Sequence, residues 1–146
     1  MKADLVSLFA GPRLVESGYF TAGQLRSHHA SGIFRTLQNN RPRRDQPYQT
    51  MQLMQLNWFL DRGVLTFDPA TGRLAIDYGR YPEAVEALLR EVLAIQDAGD
   101  PARAAGSQRR RGGVARASAR FSGSKAWFAT MASARCSLIL ISPSSA

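Results

Sequence analysis

The sequence predicts a mainly α-helical body with one β-hairpin, followed by a disordered basic C-terminal tail. Three observations carry this. Apolar residues recur at a period near 3.6 in several stretches, most of them bounded by Pro, Gly or a capping side chain. One short stretch instead brackets an Asp68-Pro-Ala-Thr-Gly72 loop with two strand-like runs. The charge also changes character at Asp100. Before it, 11 Lys and Arg balance 11 Asp and Glu; after it, 8 Lys and Arg face no acid and supply the whole net charge of +8 over 146 residues.

Each element has a local reason. Leu5, Val6, Leu8 and Phe9 give a helix over 3–10 with no capping residue ahead of it, so the chain is expected to begin mid-helix. Gly11-Pro12 should break that helix, and a short turn of helix should follow, closed by Gly18. Thr21 and Gln24 form a capping box that starts a helix running to Leu37. Asp45 and Pro47 open the next helix, 46–62, which stops at Gly63. Its apolar residues, Tyr48, Met51, Leu53, Met54, Leu56, Trp58, Phe59 and Leu60, cover most of the circumference, so it should need burial on nearly every side, Tyr48 as a packed core residue included. Such a helix looks made for a larger protein. Residues 64–67 and 73–77 form the hairpin. Pro82 opens the last helix, whose Val85, Leu88, Leu89, Val92 and Ile95 keep the 3.6 period up to Gly99.

Composition narrows the function classes. The patterned body of about 100 residues buries a modest core. Cys136 is the only cysteine, so no internal disulfide forms. Asp4 interrupts the N-terminal apolar stretch, which is not a signal peptide. No apolar run reaches membrane-spanning length, so no membrane association is expected. The expected compartment is the cytoplasm.

The division at 105/106 separates the body from residues 106–146. There Ser, Ala, Arg and Gly make up 27 of 41 residues and no amphipathic period persists. That composition predicts disorder. It is also what a GC-rich coding strand yields in a wrong reading frame.

Residues 2–105 resemble the C-terminal part of the dipeptidyl peptidase III family, the zinc metallopeptidases of family M49. The residues that carry the resemblance are Met51-Gln-Leu-Met-Gln-Leu-Asn57-Trp-Phe-Leu60-Asp-Arg-Gly63, Phe67-Asp-Pro-Ala-Thr-Gly72-Arg, Ile76-Asp77, Glu83-Ala-Val85 and Ile95-Gln-Asp-Ala-Gly99-Asp100. The resemblance implies a C-terminal fragment of a zinc-dependent dipeptidyl peptidase. Its peptide substrate and its zinc belong to the intact family, and the missing N-terminal part of the same protein would be its partner. The family's H-E-x-x-G-H motif is absent, and the two Glu of its second zinc motif would stand immediately before Met1. The fragment is therefore expected to be inactive alone, with no metal ligand and no cofactor of its own. By the same resemblance Lys2 and Asp4 are what remains of the second motif, Asp4 standing where the family holds a zinc-ligating His in place. Tyr48 stands where the family carries a transition-state-stabilising His, and a phenol can also donate to an oxyanion. Gln52 stands where an Arg is common. Arg43 and Arg44, with Arg41, would clamp a substrate carboxylate or phosphate, since Arg binds both bidentately; the other reading is a solvated loop beside Asp45.

Other candidates are weaker. His28 and His29 are adjacent, point in different directions on a helix and lack a third ligand, so a surface or partly buried role is expected. The alternative function is a small non-enzymatic protein that binds nucleic acid through its tail. Arg109–Arg111, Arg116, Arg120 and Lys125 would contact phosphates, and Phe121 and Trp127 would stack. Charge runs of this kind are usually solvated, so nucleic acid is not the expected partner.

Overall fold

A computed structural model describes residues 1–37, 47–68 and 73–111. The order is α1 (Lys2–Glu16), α2 (Ala22–Leu37), α3 (Pro47–Asp61), β1 (Leu65–Asp68), β2 (Arg73–Ile76), α4 (Tyr81–Ala98) and α5 (Pro101–Arg111). The fold is mostly helical with one two-stranded antiparallel hairpin, as the periodicities predict. The Asp45 cap, the Arg41–Arg44 loop, the hairpin loop 69–72 and the tail from 112 onward lie outside the described residues.

The capping chemistry is where the sequence put it. Gln24 Oε1 accepts from the Thr21 backbone N–H at 2.8 Å, and Thr21 Oγ1 accepts from the Gln24 N–H at 3.2 Å. The three predicted stops, Gly18, Gly63 and Gly99, are the described glycines with positive φ. At Gly63 (φ +66°) the Val64 N–H reaches back to the Phe59 carbonyl at 2.9 Å, a closure that a side-chain-bearing residue adopts only with strain.

Two elements depart from expectation. Helix α1 runs straight through Gly11-Pro12 as one 15-residue helix. A Pro in a helix interior costs about 3 kcal/mol. What offsets it is a buried face of Leu5, Leu8 and Gly11 against α2 and α4. Gly11 is small for a reason: a Cβ there would stand 2.6 Å from Leu25 Cδ1 of α2. The second departure is α5, which crosses the expected 105/106 boundary, so residues 106–111 are helical rather than disordered. Asp100 caps it, its Oδ1 accepting from the backbone of Ala102 at 2.8 Å and Arg103 at 3.1 Å, and Pro101 fits the first turn.

Helix α5 also answers the question posed by α3. Every residue from Leu53 to Leu60 is buried, yet α3 needs no larger protein to achieve this. Its sides are covered by α2, α4, β1 and α5 of the same chain. Helix α5 is polar and is held by a clasp rather than by an apolar stripe. The Arg111 guanidinium lies 4.6 Å from the Trp58 ring and Arg62 lies 4.3 Å from it. Arg111 pairs with Glu91 of α4, Ser107 Oγ bonds the same carboxylate at 3.2 Å, and Asn57 Nδ2 donates to the Arg111 carbonyl at 2.5 Å. Burial raises the Glu91 carboxyl, but the bond and charge of Arg111 outweigh it and hold the group below its ordinary value. Trp58 is pinned from inside by its Nε1–H, which donates to the Ala84 carbonyl at 2.8 Å.

The core forms one continuous cluster. The hairpin pairs Leu65 with Ile76 and Phe67 with Leu74 on one face, and all but half-buried Phe67 are buried. At the centre, His29, Tyr81 and Phe59 stack, with ring centroids 4.2 Å and 5.2 Å apart.

Candidate functional site

The cavity that gathers the most varied chemistry opens between α1, α2 and α3. Its volume is about 270 Å³. Helix α1 contributes Asp4, Ser7 and Leu8; α2 contributes His28, Ser31, Gly32, Arg35 and Thr36; α3 contributes Gln52 and Gln55. Helical spacing explains the grouping. Positions 4, 7 and 8 of α1, and 28, 31, 32 and 35 of α2, each share one helix face.

The polar groups are arranged in a definite way. Arg35 Nη1 donates to Asp4 Oδ1 at 2.7 Å and ties α2 to the first turn of α1. Asp4 Oδ2 has the N-terminal ammonium at 3.8 Å, beyond hydrogen-bonding distance. His28 Nε2 lies 3.3 Å from the Ser7 carbonyl. A carbonyl only accepts, so this contact fixes Nε2 as the protonated nitrogen. Thr36 Oγ1 donates to the Ile33 carbonyl at 2.7 Å. Gln52 Oε1 is shielded from water and has no hydrogen-bond partner. Asp4 and His28 are the acid and the imidazole of the lining. Among the described residues no group of three or more His, Cys, Asp or Glu stands close enough to hold a metal ion.

Of the residues singled out from sequence, Asp4, His28 and Gln52 meet in this cavity. Lys2 is exposed at the start of α1 and does not line it. Tyr48 is 72 % exposed at the start of α3, neither a core residue nor part of the cavity. Arg43 and Arg44 lie outside the described residues. Arg35, Ser7 and Gln55 escaped sequence reasoning. Asp4 and Arg35 are 31 residues apart, and no local pattern marks such a pair. His29, by contrast, is buried in the core. Burial, and then the neighbouring His28, hold its imidazole well below the ordinary range, at about 4.

No protein-family model matches the chain, and neither does any solved structure. Among curated proteins it is similar to Nudix hydrolase 3 of Arabidopsis thaliana, at 27% identity over 99 residues. That alignment covers 68% of this chain but 13% of the Arabidopsis protein, so the chain spans a small part of its relative's length. The finding overturns the resemblance to dipeptidyl peptidase III: the relative is named a Nudix hydrolase, and the assignments to family M49, to zinc peptidases and to dipeptidyl-peptidase activity are corrected accordingly. Several residues that carried the resemblance have structural places: Leu53, Leu56, Leu60, Ile76 and Val85 are buried in the core, and Gly63 and Gly99 stop helices. The nucleic-acid alternative is no better supported by the same relative.

Proposed function

We propose that this chain is a ligand-binding helical segment of a larger hydrolase, and that the cavity between α1, α2 and α3 is its binding site. The observation that carries the reading is the cavity itself. Three helices converge on it with an ion pair, hydroxyls and two carboxamides, set against apolar Leu8 and Ala3. A concave apolar surface bearing a few convergent polar groups is the usual form of a small-molecule site. The similarity to a segment of a protein named as a hydrolase supports the wider setting. The lone Cys136 supports a reducing, cytoplasmic one. No helix among the described residues is long and apolar enough to cross a membrane. One carboxylate and one imidazole suit binding without a resident metal.

A panel of small metabolites covering amines, acids, zwitterions, amides and sugars tests this against the isotope-labelled protein by NMR. Saturable shifts at the backbone amides of Ser7, Ser31, Arg35 and Gln52 are expected from at least one member. If no member shifts those amides at millimolar concentration, the cavity is not a binding site.

A further inference from the structure

Building on that reading, we infer that the ligand is a small zwitterion, a molecule of amino-acid size that carries an ammonium beside a carboxylate. The cavity places opposite charges side by side at its rim. Asp4 and Arg35 are joined through Oδ1 and Nη1, which leaves further donors of the guanidinium, and leaves Oδ2 of the acid without a hydrogen bond. A planar guanidinium carries five donors and binds carboxylates through two of them at once. Arg35 uses one on Asp4. A carboxylate accepts at both oxygens, and the contact on Oδ2 is the chain's own N-terminal ammonium at a loose 3.8 Å. A ligand ammonium that approached to hydrogen-bonding distance would be the nearer partner. Its carboxylate would then meet the unused donors of Arg35.

The rest of the lining fits the same molecule. A lone anion would have to sit beside Asp4, and a lone cation beside Arg35. Each would meet a like charge next to its partner, which disfavours it. A zwitterion satisfies both charges and leaves the ion pair intact. Ser7 and Ser31 stand exposed at the mouth, where hydroxyls can donate or accept. Gln52 brings a buried side-chain oxygen with no hydrogen-bond partner, an acceptor for the ligand ammonium. Leu8 and Ala3 offer an apolar wall to a short aliphatic side chain. The volume, about 270 Å³, lies just below the range of drug-sized pockets and suits a single amino acid better than a nucleotide.

The test compares alanine, leucine and glycine with their halves: ethylamine and isobutylamine, propionate and isovalerate, and the neutral amide propionamide. Each is titrated into the full chain while the amide shifts of the cavity are followed. The zwitterions are expected to bind at least tenfold more tightly than either half. Asp4→Asn should weaken them about tenfold or more, the effect of losing one charge-assisted hydrogen bond. Unchanged circular dichroism and thermal midpoint would separate that loss from misfolding, and Arg35→Gln provides a second variant should Asp4→Asn fail to fold. If amines, acids or propionamide shift the cavity amides as strongly as the zwitterions do, the zwitterion inference is wrong and the binding site stands. If nothing in the set or in the wider panel binds, both are wrong.

Discussion

The buried imidazole of His29 should make this protein lose stability as the pH falls from 6.5 to 4.5. The imidazole is 3 % exposed, lies flat on the Tyr81 ring at 4.2 Å, and its Nε2 has no hydrogen-bond partner. A charge placed there has nothing to neutralise it. His28, whose ring lies 6.3 Å away, adds repulsion when it too is charged. The folded state therefore favours neutral His29, with a pKa of about 4 against 6.5 in the unfolded chain. The sign follows from linkage. Above pH 6.5 both states are neutral at His29 and the full stability is present. As the pH falls below 6.5 the unfolded chain takes up a proton that the folded one refuses, and stability drops until the folded pKa is reached. Each unit of difference is worth 1.36 kcal/mol, so roughly 3 kcal/mol is lost in all, most of it by pH 4.5. That is a large share of the stability of a small domain. The Glu91 carboxyl, held below its ordinary value, gives up its stabilisation only as the pH falls further, which leaves the window from 6.5 to 4.5 to His29. Urea unfolding at half-unit steps of pH, on the native chain and on His29→Phe, measures this. The variant keeps an aromatic ring in the stack and should show a flat profile where the native chain slopes. Equal slopes in the two proteins, or an NMR titration of the His29 ring with a midpoint near 6.5, would refute the reasoning.

Two further predictions concern packing. Gly32→Ala adds a methyl that would stand 2.8 Å from the buried Tyr81 Oη and 2.9 Å from Leu8 Cδ2, so overpacking should outweigh the better helix propensity of Ala. A net loss of about 1 kcal/mol, seen as a thermal midpoint lowered by about 5 °C, is expected; a raised midpoint would show that the α1–α2 seam is slacker than described. Arg111→Ala should release α5 from Trp58 and leave Glu91 partly buried without its cation, at a cost of about 1–2 kcal/mol. With Trp127 replaced by Phe, Trp58 is the single indole, and its emission should move to longer wavelength; unchanged emission would mean that α5 does not cover it.

How far the site was legible depended on whether its groups act locally. Thr21 and Gln24 are three residues apart and bond each other, so a reader of the sequence finds them. Asp100-Pro101 carries the same cap-then-Pro signature as Asp45-x-Pro47, yet α5 was hidden because its residues have no apolar period; an aromatic ring and an ion pair hold it instead. Asp4 could be suspected of a role and Arg35 could not, since the bond between them spans 31 residues and depends on how two helices cross. Tyr48 shows the opposite failure. It looked like either a core or a catalytic residue, and it points into solvent from the first turn of α3.

The sequence by itself determined α2, α3 and α4, the Gly stops, the hairpin and the all-round burial of residues 53–60 in α3, because periodicity, capping and backbone strain act over a few residues and need no partner. The tertiary structure alone decided three things. Helix α1 continues through Pro12 because a buried face outweighs one local defect. Helix α5 closes over Trp58 because three side chains from distant segments meet there. The cavity joins Asp4, Arg35 and Gln52 because three helices converge, and charges far apart along a chain become neighbours only when the packing of the core brings them together.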